Sequence, residues 1–466
     1  MQLPLVTPAP VVLAHAEAFR DLFANCRQFQ HFQTYLTGLM VLENKSLSNM
    51  ARCMVDSADK TNLSRFLAEA PWDEAAVNDR RIRYLLDQTT PQRRAAADSA
   101  LVLDDTLCEH VGSLFAHIDR HYNHSDDTYP LAHNPVTSFY VSGPVRFPVD
   151  VRLYRRYQEL TRWGEFVAKH CPARPIPAAG KGRAKLRSAV EPALLADPEF
   201  RALHEQFQTK IALGVALVPA AIKRELPFGV VLMDSWYLAE ELVTTLAALE
   251  KDWVSLLKSN RNLETASFVL KDAAGQPVAL AGPHIQVQQL VPLIPRTAYR
   301  PVAVGDHTYW CFTLTVRVAR LGKVRLVISF DNADLTGKYA VLVTNRADWS
   351  AQKILATYVL RWPVETFYQD GKTVLGLDAY RMRSAEAIAK HWCLVCVAYS
   401  FLHLACLPPS LAAGSRPVKS IGAACRDQAQ TLIRALILKA HALLAQGQQA
   451  AAVFATLFAK LGWTPT

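Results

Sequence analysis

The stretch YVLRWPVETFYQDGK, residues 358–372, contains the residue spacing that is most informative about the fold of the chain. Tyr358, Arg361, Glu365 and Lys372 stand at offsets of 0, 3, 7 and 14 residues. At about 100° per residue these offsets fall within roughly 60° of one another, which predicts one narrow face of one helix. Pro363 lies inside the stretch, and because proline lacks a backbone donor we expect a kink or a restart there.

The simplest interpretation of this spacing is an amphipathic helix with a solvated charged face. Apolar side chains nevertheless surround the polar face, which favours a groove over a free surface: Trp362, Val364, Phe367 and Tyr368. A glutamate between an arginine, a lysine and a tyrosine suits phosphate chemistry. The carboxylate can hold a metal ion while the cations and the hydroxyl hold phosphates.

Two predicted strands upstream each end in a carboxylate. The apolar run of residues 100–103 stops at Asp104 and Asp105, and the run of residues 229–233 stops at Asp234. With a helical glutamate, these aspartates offer hard oxygen ligands for two Mg²⁺ ions about 3.5–4 Å apart, with Mn²⁺ as the expected substitute. The sequence contains no histidine pair or thiolate cluster suited to zinc and no GxxxxGK[ST] motif.

The region N-terminal to the first strand has helical periodicity. Two short amphipathic segments lie on either side of a break near Asp56–Asp59. They are compatible with a helix-turn-helix that reads DNA and equally with an ordinary small helical bundle. We therefore predict a helical domain over residues 1–98 and assign it DNA binding as a hypothesis.

Strand and helix patterns alternate through the middle of the chain, which predicts a mixed α/β core over residues 99–265. Residues 136–154 predict one or two strands, and the proline-rich basic stretch 171–190 predicts an exposed loop. A helix over about 238–249 and a strand over 253–258 follow.

The pattern changes to strands over residues 266–345. A hairpin is clearest around Leu321, Gly322 and Lys323, where apolar residues alternate on both sides of the turn. We predict an all-β insertion here. Helical periodicity then returns, which predicts core completion over 346–407 and a helical C-terminal region over 408–466.

The composition is that of an ordinary globular protein, and its positive charge is as compatible with a merely basic soluble protein as with one that binds a polyanionic partner. Lysine and arginine outnumber the acids 51 to 41, which gives a net charge of +10. Nine cysteines without framework spacing indicate reduced thiols in a cytoplasm, and Cys393 and Cys396 are interpreted as core residues. The apolar run 392–407 is short for a membrane span of roughly 18 or more residues, and we interpret it as a buried helix. Residues 1–19 lack the basic start of a secretory signal. We expect no membrane partner.

Taken together, these motifs resemble those of bacterial insertion-sequence transposases of the DDE class. The resemblance is to the cut-and-paste branch with the signature Y-x2-R-x3-E-x6-K, whose four positions all match. Asp104-Asp105-Thr106 is similar to the D-D-T of such families, and residues 234–237, DSWY, to their D-[SR]-x-Y-like turn. The spacings agree, with 129 residues from Asp105 to Asp234 and 131 from Asp234 to Glu365. The resemblance covers residues 19–404.

The resemblance implies an RNase H-like catalytic core interrupted by the β insertion. It also implies a homodimer that holds double-stranded transposon ends and target DNA. Cleavage by water would be followed by strand transfer from the freed 3′ hydroxyl. Such a protein is expected in a bacterial cytoplasm, associated with the nucleoid.

Among the adjacent aspartates we choose Asp105 as the catalytic residue and metal ligand, together with Asp234 and Glu365. Asp105 directly precedes the threonine, as in the family. Successive strand residues point to opposite faces, so Asp104 is expected to face away and make structural hydrogen bonds. The predicted DNA contacts are Tyr358, Arg361, Lys372, Lys258, Arg261 and Tyr339.

Two departures from the family pattern bear on function. Relatives often carry a lysine shortly after D-D-T, whereas Glu109 and His110 stand here. Hairpin-forming relatives use a tryptophan before the strand that leads to the catalytic helix, where this chain has Tyr339. Two other functions remain open: a catalytically retired transposase that only binds DNA, and a stand-alone nuclease with the same core.

Overall fold

The N-terminal region of the computed structural model is helical. The structure describes residues 3–55, 59–177, 180–407 and 418–463, so the predicted break at 56–59 lies largely outside the described residues. Asparagine, serine and aspartate side chains cap the helices after the first, each accepting a backbone N–H of the first turn. The helices are α1 (Pro10–His15), α2 (Cys26–Val41), α3 (Leu47–Cys53), α4 (Lys60–Ala68) and α5 (Glu74–Gln88).

The central sheet begins after these helices, and its strands are rich in the β-branched and aromatic residues that pack well on a pleated surface. The strand predicted over residues 100–103 is confirmed and extends to Asp105, and the one or two strands predicted over 136–154 are present as two. The first five strands are β1 (Ala100–Asp105), β2 (Cys108–Glu109), β3 (Asp119–Arg120), β4 (Leu131–Ser142) and β5 (Val145–Tyr154).

A helical insert follows β5, and it corrects the sequence prediction. The stretch 171–190 was predicted as an exposed loop, whereas its second half begins a 15-residue helix. Lysine, arginine, alanine and leucine form helices readily, and here they outweigh the loop signal of the neighbouring prolines. The helices are α6 (Tyr157–Thr161), α7 (Trp163–His170), α8 (Gly180–Leu194), α9 (Pro198–Glu205) and α10 (Lys210–Lys223).

The core then resumes with a strand, a helix and a strand, as predicted, and continues into further strands. The predicted hairpin is confirmed, since the strands His307–Val318 and Gly322–Phe330 pair with Val318 opposite Gly322. The elements are β6 (Val230–Met233), α11 (Glu240–Ala248), β7 (Asp252–Leu256), β8 (Asn262–Glu264), β9 (His284–Gln286), α12 (Val287–Leu290), β10 (Arg300–Val304), β11 (His307–Val318), β12 (Gly322–Phe330) and β13 (Tyr339–Thr344).

The C-terminal part is again helical. α15 contains the apolar run predicted as a buried helix, and that prediction is confirmed. Among the described residues it is the one helix long and apolar enough to cross a membrane, yet 89% of its most apolar window is buried inside the fold. The helices are α13 (Ala351–Val359), α14 (Pro363–Asp370), α15 (Ala385–Cys406), α16 (Ile421–Ala445) and α17 (Ala450–Phe458).

One mixed sheet of 13 strands connects these parts. β5, β4 and β1 are antiparallel neighbours, while β1, β6 and β7 run parallel. β13 pairs antiparallel with β7, so the strands of the predicted insertion continue the core sheet.

Two large cores cover the two faces of this sheet. Ala100 and Val102 of β1 pack with α13, α14, α15 and the N-terminal helices. Leu101 and Leu103 point to the other face and pack with α10 and α11. A third, small core holds the helical insert together around Trp163. Because side chains alternate along β1, Asp104 and Asp105 at its end point to opposite faces of the sheet, toward different helices.

Candidate active site

Two aspartates lie side by side at the carboxyl ends of β1 and β6. The strands are parallel, with Leu103 beside Met233, so the next residues in register are Asp104 and Asp234. Because residues two apart on a strand share a face, Asp104 continues the row of Val102 toward α13 and α14.

Arg361 joins Asp104 to the predicted catalytic helix. Its guanidinium donates to Asp104 Oδ2 over 2.7 Å and also pairs with Glu365 Oε1. The side chains of Asp104 and Arg361 are each 15% exposed, whereas that of Glu365 is 39% exposed. Glu365 therefore lies at the open side of a half-buried site.

Asp105 faces the opposite direction. Its Oδ2 accepts hydrogen bonds from Lys210 Nζ at 2.7 Å and Asn134 Nδ2 at 2.8 Å. Its Oδ1 accepts from the Tyr237 hydroxyl at 2.8 Å. Burial acts to raise its pKa, but the Lys210 ammonium and the two other donors outweigh burial and lower it. The expected opposite orientation of the two aspartates is present, but it is Asp104 that shares a face with Glu365.

Negative charge is crowded at these strand ends. Burial raises the pKa of Asp104 to about 7, and the charges of Asp234 and Asp105 add to the rise while Arg361 opposes it. Burial is also the main cause of the raised pKa of Asp234. Its Oδ1 accepts the backbone N–H groups of Trp236 and Tyr237. The crowding favours a bound cation, because an opposite charge stabilises the ionised carboxylates.

These carboxylates fit a magnesium site in chemistry. Asp104, Asp234 and Glu365 supply the oxygen ligands that Mg²⁺ prefers. Across the described ranges, no group of three or more acidic, histidine or cysteine side chains forms a metal site as it stands. Arg361 instead provides the positive charge between Asp104 and Glu365.

The predicted catalytic helix consists of three segments. α13 ends at Val359, and Pro363 starts α14 after a turn closed by backbone bonds between residues three apart. The expected restart at Pro363 is confirmed. A π-helical turn, Gly371–Leu375, then follows. The four signature residues therefore do not share one uninterrupted helix face, because the proline and the π turn each shift the helical phase.

The four signature residues lie on different segments, but three of them remain in contact. The guanidinium carbon of Arg361 lies 5.8 Å from the centre of the Tyr358 ring, so Tyr358, Arg361 and Glu365 are brought together. Burial raises the pKa of Tyr358 to about 12. Lys372 lies on the π turn, where its charge acts on Cys108 and Asp378.

The remaining predicted DNA contacts lie along the same edge of the sheet as Asp234. Lys258 Nζ is 5.2 Å from the centre of the Trp236 ring, and Arg261 donates to the carbonyl of Leu238. Tyr339 begins β13, whose antiparallel register against β7 brings it to the edge where Lys258 lies. Its ring packs on Phe330.

Sequence reasoning missed Lys210, which lies 105 residues from the aspartate it binds. Glu109 and His110 do not supply the missing cation: burial lowers the pKa of His110 to about 4, and its ring stacks on Phe115. Lys210 opens α10 after the cap Thr209. No spacing in the sequence marks it.

The comparisons with known families agree with these motifs. A family model described as DDE superfamily endonuclease matches residues 18–304, and a model described as transposase DDE domain matches residues 210–401. The matched regions include Asp104, Asp234 and Glu365. No curated protein matches the chain.

Proposed function

Because the chain belongs to the DDE superfamily of endonucleases, we propose that it is a DNA transposase of the cut-and-paste branch. In this proposal it cuts the ends of a mobile element and joins the freed 3′ hydroxyl to target DNA. One observation carries the proposal: Arg361 links Asp104 to Glu365 beside Asp234. Asp104 and Glu365 already pair with the positive charge of Arg361, so these carboxylates can bind a cation. With the exposed Lys258 nearby to contact phosphates, they suit phosphoryl transfer on DNA.

The proposed core is RNase H-like. Its support is the strand order β5, β4, β1, β6, β7, with three antiparallel strands followed by two parallel ones. In this proposal residues 266–345 are an insertion into that core, and the helices of residues 1–98 bind transposon ends.

We propose Asp104, Asp234 and Glu365 as the carboxylates that hold Mg²⁺, so that Asp104 takes the role first assigned to Asp105. The shared face of Asp104 and the catalytic helix supports this choice. Asp105, paired with Lys210, then holds the end of β1 in position. When bound, two Mg²⁺ ions, or Mn²⁺ in their place, activate the attacking oxygen and stabilise the leaving oxygen.

The cationic side chains act on the DNA phosphates in this mechanism. Arg361 exchanges its carboxylate partners for a phosphate near the scissile bond, which frees Asp104 and Glu365 to hold metal. The charge-assisted bond to phosphate offsets the ion pairs that are lost. The other proposed DNA contacts are Lys258, Arg261, Lys372, Tyr358 and Tyr339. Two copies of the chain hold the two transposon ends in a bacterial cytoplasm.

The test is incubation of the purified chain with duplexes that carry the DNA flanking its own gene, in Mg²⁺ or in EDTA. Strand mapping should detect Mg²⁺-dependent cuts and joined products. Glu365→Gln and Asp234→Asn should lose cleavage and keep DNA-end binding, because each removes a metal ligand without removing a cation. Asp306→Asn, in an exposed turn, is the matched control.

The products separate the proposal from its alternatives. Cleavage without any joined strand would identify a stand-alone nuclease. Selective end binding with no cleavage in Mg²⁺ or Mn²⁺ would identify a retired transposase. Cleavage by Glu365→Gln at the wild-type rate would contradict the site itself.

A further inference from the structure

A cavity of about 570 Å³ lies between the helical insert and the carboxyl edge of the sheet. Its walls carry basic side chains from separate segments, among them Arg120, Arg156, Arg187 and Lys210. None of the described residues that line it is acidic. Arg156, Arg187 and Lys210 pair with carboxylates that do not line the cavity, Asp119, Glu191 and Asp105. Because the lining cations outnumber these acids, the cavity is suited to a ligand that carries negative charge.

Aromatic rings share these walls with the cations. Trp236 is 49% exposed, and Lys210 and Lys258 lie 5.9 Å and 5.2 Å from its ring centre. Tyr122 and Tyr129 are also exposed at 39% and 44%. Exposed rings flanked by cations suit the flat face of a nucleic-acid base, with the phosphates beside it on lysine and arginine.

The size and position of the cavity favour single-stranded over double-stranded DNA as its ligand. A duplex offers only base edges, in a major groove about 12 Å wide, so a ring can stack only on a base that has left the helix. The volume falls within the roughly 300–1,000 Å³ of pockets that hold small molecules, which is room for a nucleotide or two and not for a duplex.

The cavity lies next to Asp234 at the carboxyl edge of the sheet, although none of the proposed catalytic carboxylates lines it. Trp236 follows Asp234 by two residues, and Lys210 binds Asp105, the neighbour of Asp104. A strand that occupied the cavity would therefore continue directly to a phosphate at the carboxylates.

We propose that this cavity binds the unpaired DNA segment next to the scissile phosphate, with one base stacked on Trp236 and phosphates on Arg120, Arg156 and Arg187. The inference rests on the proposed function, since the reacting phosphate is placed at Asp104, Asp234 and Glu365. It adds a second DNA site, formed in part by the helical insert, that selects melted over paired DNA.

The test is binding of a single-stranded oligonucleotide with an internal 2-aminopurine to the full chain in EDTA, where no cleavage occurs. Stacking on Trp236 should quench the 2-aminopurine fluorescence. Trp236→Ala should abolish the quenching and weaken single-strand binding roughly tenfold or more, whereas Trp236→Phe should retain most of it. Arg156→Gln should weaken binding and reduce its salt dependence by about one phosphate contact.

Matched controls are Trp463→Ala and Arg317→Gln, which change exposed residues outside the cavity. Thermal melts confirm that every variant is folded. The proposal is overturned if Trp236→Ala and Arg156→Gln bind the single strand as tightly as the controls do. Cleavage of duplex ends by the wild-type chain is measured separately, so failure of this inference can be distinguished from failure of the proposed function.

Discussion

At the scale of single residues, the orientation of two adjacent aspartates decides which of them we propose as a metal ligand. Resemblance in sequence favours Asp105, because the family's catalytic aspartate precedes a threonine. The sequence predicts that the two side chains diverge, but it cannot say which face the catalytic helix covers. That answer depends on how α14 packs on the sheet, and it favours Asp104.

We predict that Asp104→Asn abolishes Mg²⁺-dependent cleavage, because it removes a ligand on the face of Glu365. Asp105→Asn should retain cleavage and lose thermal stability, since it weakens the ion pair to Lys210 and leaves a partly buried ammonium without its partner's charge. Cleavage rates and melting temperatures of both variants are measured together. A folded Asp105→Asn chain that cannot cut, beside an active Asp104→Asn chain, would restore the original assignment.

Arg361 carries the second prediction at this scale. Arg361→Gln should slow cleavage and reduce the salt slope of DNA-end binding by about one, because one phosphate contact is lost. The slope is measured by titrating binding against salt, with Arg317→Gln as the surface control. An unchanged slope would assign Arg361 a structural role only, as the partner of Asp104.

At the scale of elements, local patterns predicted strands and helices well where burial alternates regularly. β1, β6, α11 and the β11–β12 hairpin are clear in the sequence. α8 was missed because Pro175, Pro177 and Gly180 indicate a loop, while its packing partners lie on other helices of the insert. Its lysine, arginine, alanine and leucine residues favour a helix, but the contacts with the other helices of the insert cannot be read from the local sequence.

The small core of the helical insert gives an element-scale prediction. Phe200 is fully buried within that core, so Phe200→Ala should cost about 3–5 kcal/mol. We expect the insert to open locally while the main sheet stays folded, because the insert's core is separate from the two larger ones. Hydrogen exchange should show lost protection in α6–α9 alone. Leu114→Ala, at a 65% exposed position, is the control, and uniform loss of protection would contradict the prediction.

At the scale of the whole molecule, the N-terminal helices share a core with α13, α14 and α15. The sequence predicts a helical N-terminal region but not this sharing, because residues such as Tyr35 and His391 are 356 positions apart. The pairing of β13 with β7 cannot be predicted from the sequence either, because the alternation of apolar residues identifies a strand but not the strand it pairs with.

Buried histidines in this shared core make stability depend on pH. Burial lowers the pKa of His391 to about 4 and that of His403 to about 4. The unfolded chain binds these protons near pH 6.5, so the folded state is favoured above that pH and loses stability as the pH falls toward 4. The loss approaches roughly 3 kcal/mol for each histidine.

Denaturant unfolding between pH 7.5 and 4.5 measures this effect. His391→Gln should show a shallower pH dependence than the wild type, because one depressed histidine is removed. His307→Gln, at an exposed position, is the matched control and should keep the wild-type slope. Equal slopes for all three chains would exclude His391 as a cause.

The pairing of β13 with β7 has a consequence for any shortened form of this protein. Without residues 266–345, the backbone N–H and C=O groups of β7 that now bond β13 would have no partner. An open sheet edge of this kind recruits strands from other molecules. The strands of residues 266–345 thus protect the edge of β7 from self-association, and their removal would turn that edge into a seed for aggregates.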